Sequence, residues 1–370
     1  MPPAPRRPWR IVHSECSLGW GGQEHRVLAE LEGFKRRGCA VWLLAPREAG
    51  VFKRARAAGI ATHPLGVSRP LFPFTALALA GWLRRNRIEI VNTHSSRDGW
   101  LVGVAARLAR VPLIIRTRHF EVPIADLRLS RLVYERLADH LITTSTRITS
   151  QFQNAFGFSS ERVSTISTGI DVDRFSPRAA KAELPTRHGQ EEWPLVGMVA
   201  VLRHAKGHVI LVRAARMLRD WGIPVRLVLV GEGPSKQPIE AELVKLDMVN
   251  CATFTGHRDD IPNVLRALNV LVIPSLHEGV PQAGLQALAC GTPVVGSDTG
   301  GIPEIIRHGE TGRIFKSGDA AALAAAVREV IEQREQSSAM STRGRAMVEE
   351  HHSLDAMLDK LDALYRRQLG

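Results

Sequence analysis

The stretch HEGVPQAGLQ (277–286) sets a carboxylate, a glycine-rich turn and an amide at the mouth of a short apolar helix. An apolar strand ending VIPS precedes it, so the N–H groups of residues 279–285 would form an uncharged cradle for anions and hydroxyls. Glu278 would accept hydrogen bonds from ligand hydroxyls, with a helix starting near Gly284 and Gln286 on its first turn. The plain alternative is a capped helix with a solvent-facing glutamate. In VLRHAKGH (201–208), Arg203 and Lys206 lie just past another strand, where two cations and a helix N-terminus can hold a diphosphate. A solvated basic loop is the competing reading. His94 and His119 each close an apolar strand; a histidine there hydrogen-bonds a hydroxyl, moves a proton near neutral pH, or simply caps a turn.

Two further segments carry weaker signals. In SLGWGGQEH (17–25), Gly21 and Gly22 open a helix, so backbone N–H groups there can face an anion. The segment is not GxGxxG and lacks the acidic partner of a dinucleotide site. IDVDRF (170–175) contains Asp-x-Asp, but it lies in a connection, where short acidic residues favour turns. We read it as structural and expect no metal.

These residues need strands to position them, and short apolar runs alternate with helical patterns along the whole chain, the signature of parallel doubly wound sheets. The first half reads RIVHSE, AVWLLA, IEIVNTH, PLIIRTRH, HLITTS and RVSTIS; the second reads PLVGMVA, VRLVLVG, ATFTGH, NVLVIPS, TPVVGSD and GRIFK. In QEHRVLAELEGFKRRG, apolar Val27, Leu28, Leu31 and Phe34 share a face, and Gly38 is a C-terminal stop. The aperiodic stretch 176–194, rich in proline and charge, is the expected linker. The expected fold class is therefore α/β, with two Rossmann-like domains, 1–176 and 177–352, and a last helix at about 353–370 that packs back on the first. Such a pair would bind ligands in a cleft at the strands' carboxyl ends.

Composition bounds the partners. The chain has 370 residues, 44% hydrophobic and 23% charged, enough for two domains. Its four cysteines contain no CxxC pair, which disfavours a zinc site or a disulfide framework and fits a reducing cytoplasm. The N-terminus shows no apolar signal segment, and the run Phe74–Leu83 falls short of a membrane span of ~20 residues. The net charge of +12 lies wholly in residues 1–176, with 26 Lys+Arg against 14 Asp+Glu, while 177–370 carries 23 of each. A one-sided basic domain suggests an anionic partner such as acidic lipid headgroups or a phosphorylated glycan. Nucleic acid is not expected, since aromatics are 5% and no recognition motif is present. The stretch 70–87 pairs an apolar stripe with an arginine-rich end, as a lipid-touching helix or as a core helix whose basic end complements its dipole.

With these residues in view, the chain resembles a family-4 glycosyltransferase of the GT-B fold. PSLHEGVPQAGLQALACGTPVVGSDTGGIPEIIRHGETGRIF is similar to that family's central motif, and GGQEHRVL, VNTH, RTRHF, ISTGIDVDRFSP, KGH, LVGEGP and FTGHRDDIP follow in the family's order. The resemblance implies a retaining, metal-independent hexosyl transfer from a UDP- or GDP-linked sugar, with no cofactor. It places the donor on the second domain and a glycan or lipid-linked acceptor on the first. It further implies diphosphate binding by Lys206 and Arg203, with Gly21 and Gly22 near the donor phosphates. The donor hexose would meet Glu278 and the backbone of Gly279, Val280, Pro281, Gln282, Ala283, Gly284 and Leu285. Gln286 would hold the ribose hydroxyls. His119 and Glu278 would stand at the reacting centre, and Glu24 and His94 on the acceptor side. The implied setting is lipopolysaccharide or cell-surface polysaccharide synthesis in the cytoplasm, at the inner face of the plasma membrane.

Three positions depart from the family pattern. Gln286 stands where the family has glutamate, so its neutral amide oxygen must accept from the ribose. Val201 occupies the usual arginine position, and Arg203 takes its place. Thr168 replaces a common asparagine, with little expected consequence. A nucleotide-sugar 2-epimerase shares the architecture, and a non-catalytic nucleotide-sugar-binding protein would follow if Gln286 marked decay.

Overall fold

The computed structural model describes residues 8–66, 72–119, 130–178, 180–184 and 190–370. Parts of the expected linker, the start of the 70–87 stretch and Phe120 of RTRHF lie outside the described residues. The chain divides into two compact units: one ends at Gly169 and takes back Leu354–Gly370, and the other spans Ile170–Ser353. The first crossing comes a few residues before 176/177. Ile170 and Phe175 are buried in the second unit's core, so apolar anchoring rather than linker composition places the boundary.

In the first unit, β1 (Arg10–Ser14), β2 (Ala40–Ala45), β3 (Ala61–Pro64), β4 (Ile90–Thr93), β5 (Leu113–Arg118), β6 (His140–Thr143) and β7 (Val163–Thr165) form one sheet. Its order is β3-β2-β1-β4-β5-β6-β7, and adjacent strands run parallel. β3 was not expected from the sequence. It is a short, half-exposed edge strand of sequence ATHP, and an edge strand lacks the apolar run that burial on both faces imposes. The helices are α1 (Gly22–Arg36), α2 (Gly50–Ala57), α3 (Phe72–Arg85), α4 (Ser96–Ala109) and α5 (Thr146–Phe156).

The second unit holds β8 (Leu195–Val199), β9 (Arg226–Val230), β10 (Ala252–Gly256), β11 (Val270–Ile273), β12 (Val294–Ser297) and β13 (Arg313–Phe315), in the order β10-β9-β8-β11-β12-β13. Its helices are α6 (His208–Asp220), α7 (Lys236–Lys245), α8 (Ile261–Ala267), α9 (Gln282–Ala289), α10 (Ile302–Ile305), α11 (Ala320–Glu332) and α12 (Arg334–His351). The last helix, α13 (Leu354–Leu369), belongs to the first unit. It seats Leu358 on Gly33 of α1, where any side chain would collide with it, and Trp9 Nε1 donates to Asp362 at 2.8 Å.

Both sheets reverse direction at one point, between β1 and β4 in the first and between β8 and β11 in the second. Loops leaving neighbouring strands at such a reversal diverge and open a crevice at the carboxyl ends. The first sheet's reversal brings together the ends of RIVHS and IVNT, and the second those of LVGMV and VLVI. Among the described residues no helix is long and apolar enough to cross a membrane.

Candidate active site

The second unit's reversal sets the loop after β8 beside the loop after β11. Lys206 Nζ donates to Glu278 Oε2 at 2.7 Å, and Ser275 Oγ donates to the same oxygen at 2.9 Å. Glu278 is nearly buried, its side chain 10% exposed, while Lys206 keeps 27%. The pair is thus sheltered yet reachable, with two ammonium protons and Glu278 Oε1 left for a ligand. Arg203 lies exposed at the start of the same turn, with no side-chain partner among the described residues.

The loop carrying Glu278 is fixed from several directions. Leu276 N–H donates to Ala205 O at 2.8 Å, and Gly301 N–H donates to Gly279 O at 3.1 Å. The Ser297 and Thr299 hydroxyls donate to the carbonyls of Ser275 and Leu276 at 2.7 and 3.2 Å. Two glycines permit this closeness. Gly207 (φ +77°) would drive a Cβ into the Pro274 carbonyl, and Gly300 (φ +56°) would drive one into that of Glu278, so both positions need the left-handed region and the missing side chain. A loop pinned in this way spends no ordering entropy when a ligand arrives.

In the first unit the reversal gathers an almost wholly buried polar cluster. Asp98, at the start of α4, accepts from Ser14 Oγ (2.6 Å), His94 N–H (2.9 Å) and Ser95 N–H (2.8 Å), with the Arg116 guanidinium 3.8 Å away. Three histidines form a chain: His13 Nδ1 and His94 Nε2 are 2.9 Å apart, and His94 Nδ1 and His119 Nε2 are also 2.9 Å apart. Burial, together with neighbouring histidines and Arg26 and Arg116, pushes His94 well below the usual histidine range; burial and the surrounding arginines do the same to His119. Behind His13, Glu30 Oε2 is 3.7 Å from Nδ1 while Glu30 Oε1 takes Arg26 Nε at 2.6 Å. Glu15 accepts from Ser17 N–H at 2.8 Å and from the Gln23 amide. Burial, and then the Asp98 charge, raise its carboxyl to about 7.

Comparison with known proteins bears on this geometry. Residues 181–347 match the family described as glycosyl transferases group 1, and residues 20–174 match Glycosyltransferase Family 4. The chain is 30% identical over 323 residues to a GDP-mannose-dependent alpha-(1-6)-phosphatidylinositol monomannoside mannosyltransferase of Mycobacterium tuberculosis, covering 83% of each chain. The chain belongs to glycosyltransferase family 4. The fold agrees. A glycosyltransferase structure from Rickettsia africae superposes with a TM-score of 0.88 at 18% identity, covering 98% of this chain and 99% of that one. Anabaena HepE in complex with UDP gives 0.82 at 18% identity, over 97% and 100%. This glycosyltransferase accordingly has the GT-B fold, two parallel-sheet Rossmann-like units.

Within the glycosyltransferase the sequence-predicted residues separate by environment. Lys206 and Glu278 meet directly, as do His94 and His119. α9 begins at Gln282, not near Gly284, so Gln286 lies beyond the first turn. It is half-buried, and its amide makes no side-chain hydrogen bond among the described residues. The N–H groups of Gly284 and Leu285 are turned inward to Pro281 O at 3.1 and 3.3 Å, so they are not part of an open cradle. Leu285 is fully buried, and a Cβ on Gly284 would press on Ile273 and Ile305 at 2.8 and 2.9 Å. Gly279 and Pro281 are buried as well, which leaves Val280, Gln282 and Ala283 half-buried at the loop's surface, with Val280 and Ala283 packing partly on the core. Gly21 is extended at the cap of α1 and donates its N–H to Glu24 Oε2 at 2.8 Å; Gly22 begins the helix, exposed. Glu24, 6% exposed, caps the helix start by accepting the Gly21 N–H. Asp171 accepts from the N–H groups of Asp173 and Arg174 at 3.2 and 3.0 Å, a side-chain-closed turn.

The sequence reading missed His13, Glu15, Arg26, Glu30 and Asp98. A signal existed for the first two, since HSE closes an otherwise apolar strand. Arg26 and Glu30 read as an ordinary exposed i,i+4 pair, and nothing local shows that both are buried. Thr168, expected to matter little, is 5% exposed and lies 3.5 Å from Arg26 in this network.

Proposed function

We propose that this glycosyltransferase moves a hexose-type sugar, with retention of configuration, from a UDP- or GDP-linked donor to a glycan or lipid-linked acceptor in cell-surface polysaccharide or lipopolysaccharide synthesis. The observation that carries the reading is the Lys206–Glu278 pair on a loop fixed at the second sheet's reversal. Lys206 and Arg203 would neutralise the leaving diphosphate, supplying charge that a divalent ion would otherwise bring. Glu278 shares one oxygen with Lys206 and Ser275, which suits hydrogen bonding to hexose hydroxyls better than nucleophilic attack. Same-face displacement, in which the departing diphosphate takes the acceptor's proton, fits a site that offers position and charge rather than a carboxylate pair. The mycobacterial relative is named for GDP-mannose and a phosphatidylinositol glycolipid, and HepE holds UDP; both bases and a lipid acceptor are therefore the first to test.

Thermal-shift assays with UDP and GDP test the donor site, since a ligand at 100 times its Kd stabilises by about 2.7 kcal/mol. A shift with one of them is expected; no shift with either would remove the nucleotide-sugar reading. Gln286→Glu is expected to tighten that nucleotide about ten-fold, because a charged acceptor holds a ribose diol about twice as strongly as an amide. Turnover by the variant but none by the wild type would instead favour the non-catalytic alternative.

The acceptor's chemistry bears on the surface of α3. Ala76, Leu79, Ala80 and Leu83 are buried, while Phe74 and Leu77 stand 72% and 61% exposed and Arg84 and Arg85 close the helix. Exposed apolar groups beside arginines on the basic half of the chain suit the inner face of an anionic membrane. Sedimentation with phosphatidylglycerol vesicles at low salt is expected, weakened by Phe74→Ser. Absence of binding at low salt defeats the membrane assignment.

A further inference from the structure

Three buried histidines, His13, His94 and His119, are joined by two hydrogen bonds, each 2.9 Å between ring nitrogens, with His94 using both of its nitrogens. A neutral imidazole has one N–H and one lone pair, so this chain admits only two proton arrangements. In one, His13 Nδ1 donates to His94 Nε2, His94 Nδ1 donates to His119 Nε2, and His119 carries its proton on Nδ1. In the other every bond reverses: His119 is protonated on Nε2, and His13 on its own Nε2. All three rings thus change tautomer together or not at all.

Two observations choose between the arrangements. Glu30 Oε2 stands 3.7 Å from His13 Nδ1 and has no hydrogen-bond partner among the described residues, so a proton on that nitrogen lies near a carboxylate where a lone pair would be repelled. His13 Nε2 is buried without a partner among the described residues, and a proton placed there would be an orphaned donor. We propose that His13 and His94 are positioning residues that lock His119 in the Nδ1–H tautomer, so that it serves the transfer as a neutral hydrogen-bond donor to a substrate oxygen. The inference rests on the reading of His119 as a residue at the reacting centre. Burial, and then Arg26 on α1 and Arg116 and Arg118 on β5, oppose a positive charge on His119, so the ring is no imidazolium, and its Nε2 lone pair is taken by His94. The same arginines disfavour a cation between His13, Glu30 and His94, whose ligand atoms lie within 4.8 Å of one another. Arg26 already holds the carboxylate.

The test begins with the unliganded wild-type protein labelled with [15N]histidine, whose long-range 1H–15N spectra report each tautomer without any turnover. His119 is expected with a protonated Nδ1 and a bare Nε2. In His94→Phe, a near-isosteric ring without nitrogens, His119 should revert towards the Nε2–H form that imidazole prefers in water. Transfer by that variant should fall about ten- to a hundred-fold in kcat, the usual cost of losing a group that orients a histidine, with the donor KM nearly unchanged. His13→Asn, whose amide N–H replaces Nδ1–H, should retain the tautomer and most activity, whereas His13→Leu should lose both. A wild-type His119 protonated on Nε2, or on both nitrogens, overturns the proposal, as does one equivalent of metal in protein purified without chelators. A correct tautomer in a protein that binds no nucleotide would leave the lock standing and remove the transferase reading instead.

Discussion

Lys206→Ala is expected to lower the rate of sugar transfer by about 10²–10³-fold, the usual loss when one fixed donor to a developing negative charge is removed. The geometry makes this replacement costlier than the loss of one ligand contact. Lys206 is 2.7 Å from Glu278, whose side chain is only 10% exposed, so the variant leaves that carboxylate without its cation beside the departing diphosphate. Two anions would then share a site built for one, and transition-state stabilisation would fall together with donor affinity. Lys206→Arg should not restore activity, because a planar fork cannot replace a compact ammonium wedged between Glu278 and a phosphate. The double variant Lys206→Met, Glu278→Gln should lose less than the product of the two single losses, since it removes the stranded charge. Global stability should fall as well, because the variant leaves a nearly buried carboxylate without its cation. Initial rates at saturating donor and a melting curve check both halves; a rate within a few-fold of wild type would place the leaving-group site elsewhere.

The second large effect is acid lability confined mostly to the first unit. His13, His94, His119, His140 and His208 all titrate below the ordinary histidine range, chiefly because burial disfavours their charge, and His140 and His208 fall to about 4. The unfolded chain therefore takes up protons below pH 6.5 that the folded one refuses, so stability is lost as pH falls through that value. Each such histidine contributes about 1.4 kcal/mol per pH unit until its folded value is reached. Glu15 acts in the opposite sense: with its folded carboxyl at about 7 against an ordinary 4.5, the native state holds the extra proton between these values, and stability is lost as pH rises. The histidines outnumber it, so the urea midpoint should fall steeply from pH 6.5 to 5. Four of the five lie in the first unit and only His208 in the second, so calorimetry at pH 5 should show the first unit melting earlier. Glu15→Gln should gain on wild type as pH rises from 4.5 to 8. A midpoint unchanged between pH 7.5 and 5 would mean that the buried rings are hydrated.

Much of the architecture was legible in the chain itself. Twelve of the thirteen strands among the described residues showed themselves as short apolar or alternating runs, the inner ones because burial on both faces demands continuous apolar residues. β3, an edge strand of sequence ATHP, carries no such run. The glycine turns around Glu278, and Lys206 one turn past β8, were also readable, since tight backbone approach demands glycine locally. What those glycines approach was not. That Gly300 yields to the carbonyl of Glu278, or Gly207 to that of Pro274, depends on which strands are neighbours.

The first unit's site shows the same division more sharply. His94 and His119 stood out as polar residues ending apolar runs, but their partner His13 comes 81 positions before His94 and meets it only because β1 lies beside β4. Arg26 and Glu30 look like a solvated helix pair until α1 is laid on the sheet and α13 over it; then both are sealed from water, and their charges set the proton order of three rings. The sequence by itself determined the parallel doubly wound class, the family and the loop that presents Glu278, because periodicity and backbone permission are local properties. Only the tertiary structure decided which oxygen Lys206 holds, which N–H groups of the loop turn inward and which histidines are joined. Burial and hydrogen-bond partnership belong to strand order, and strand order is written in no single segment.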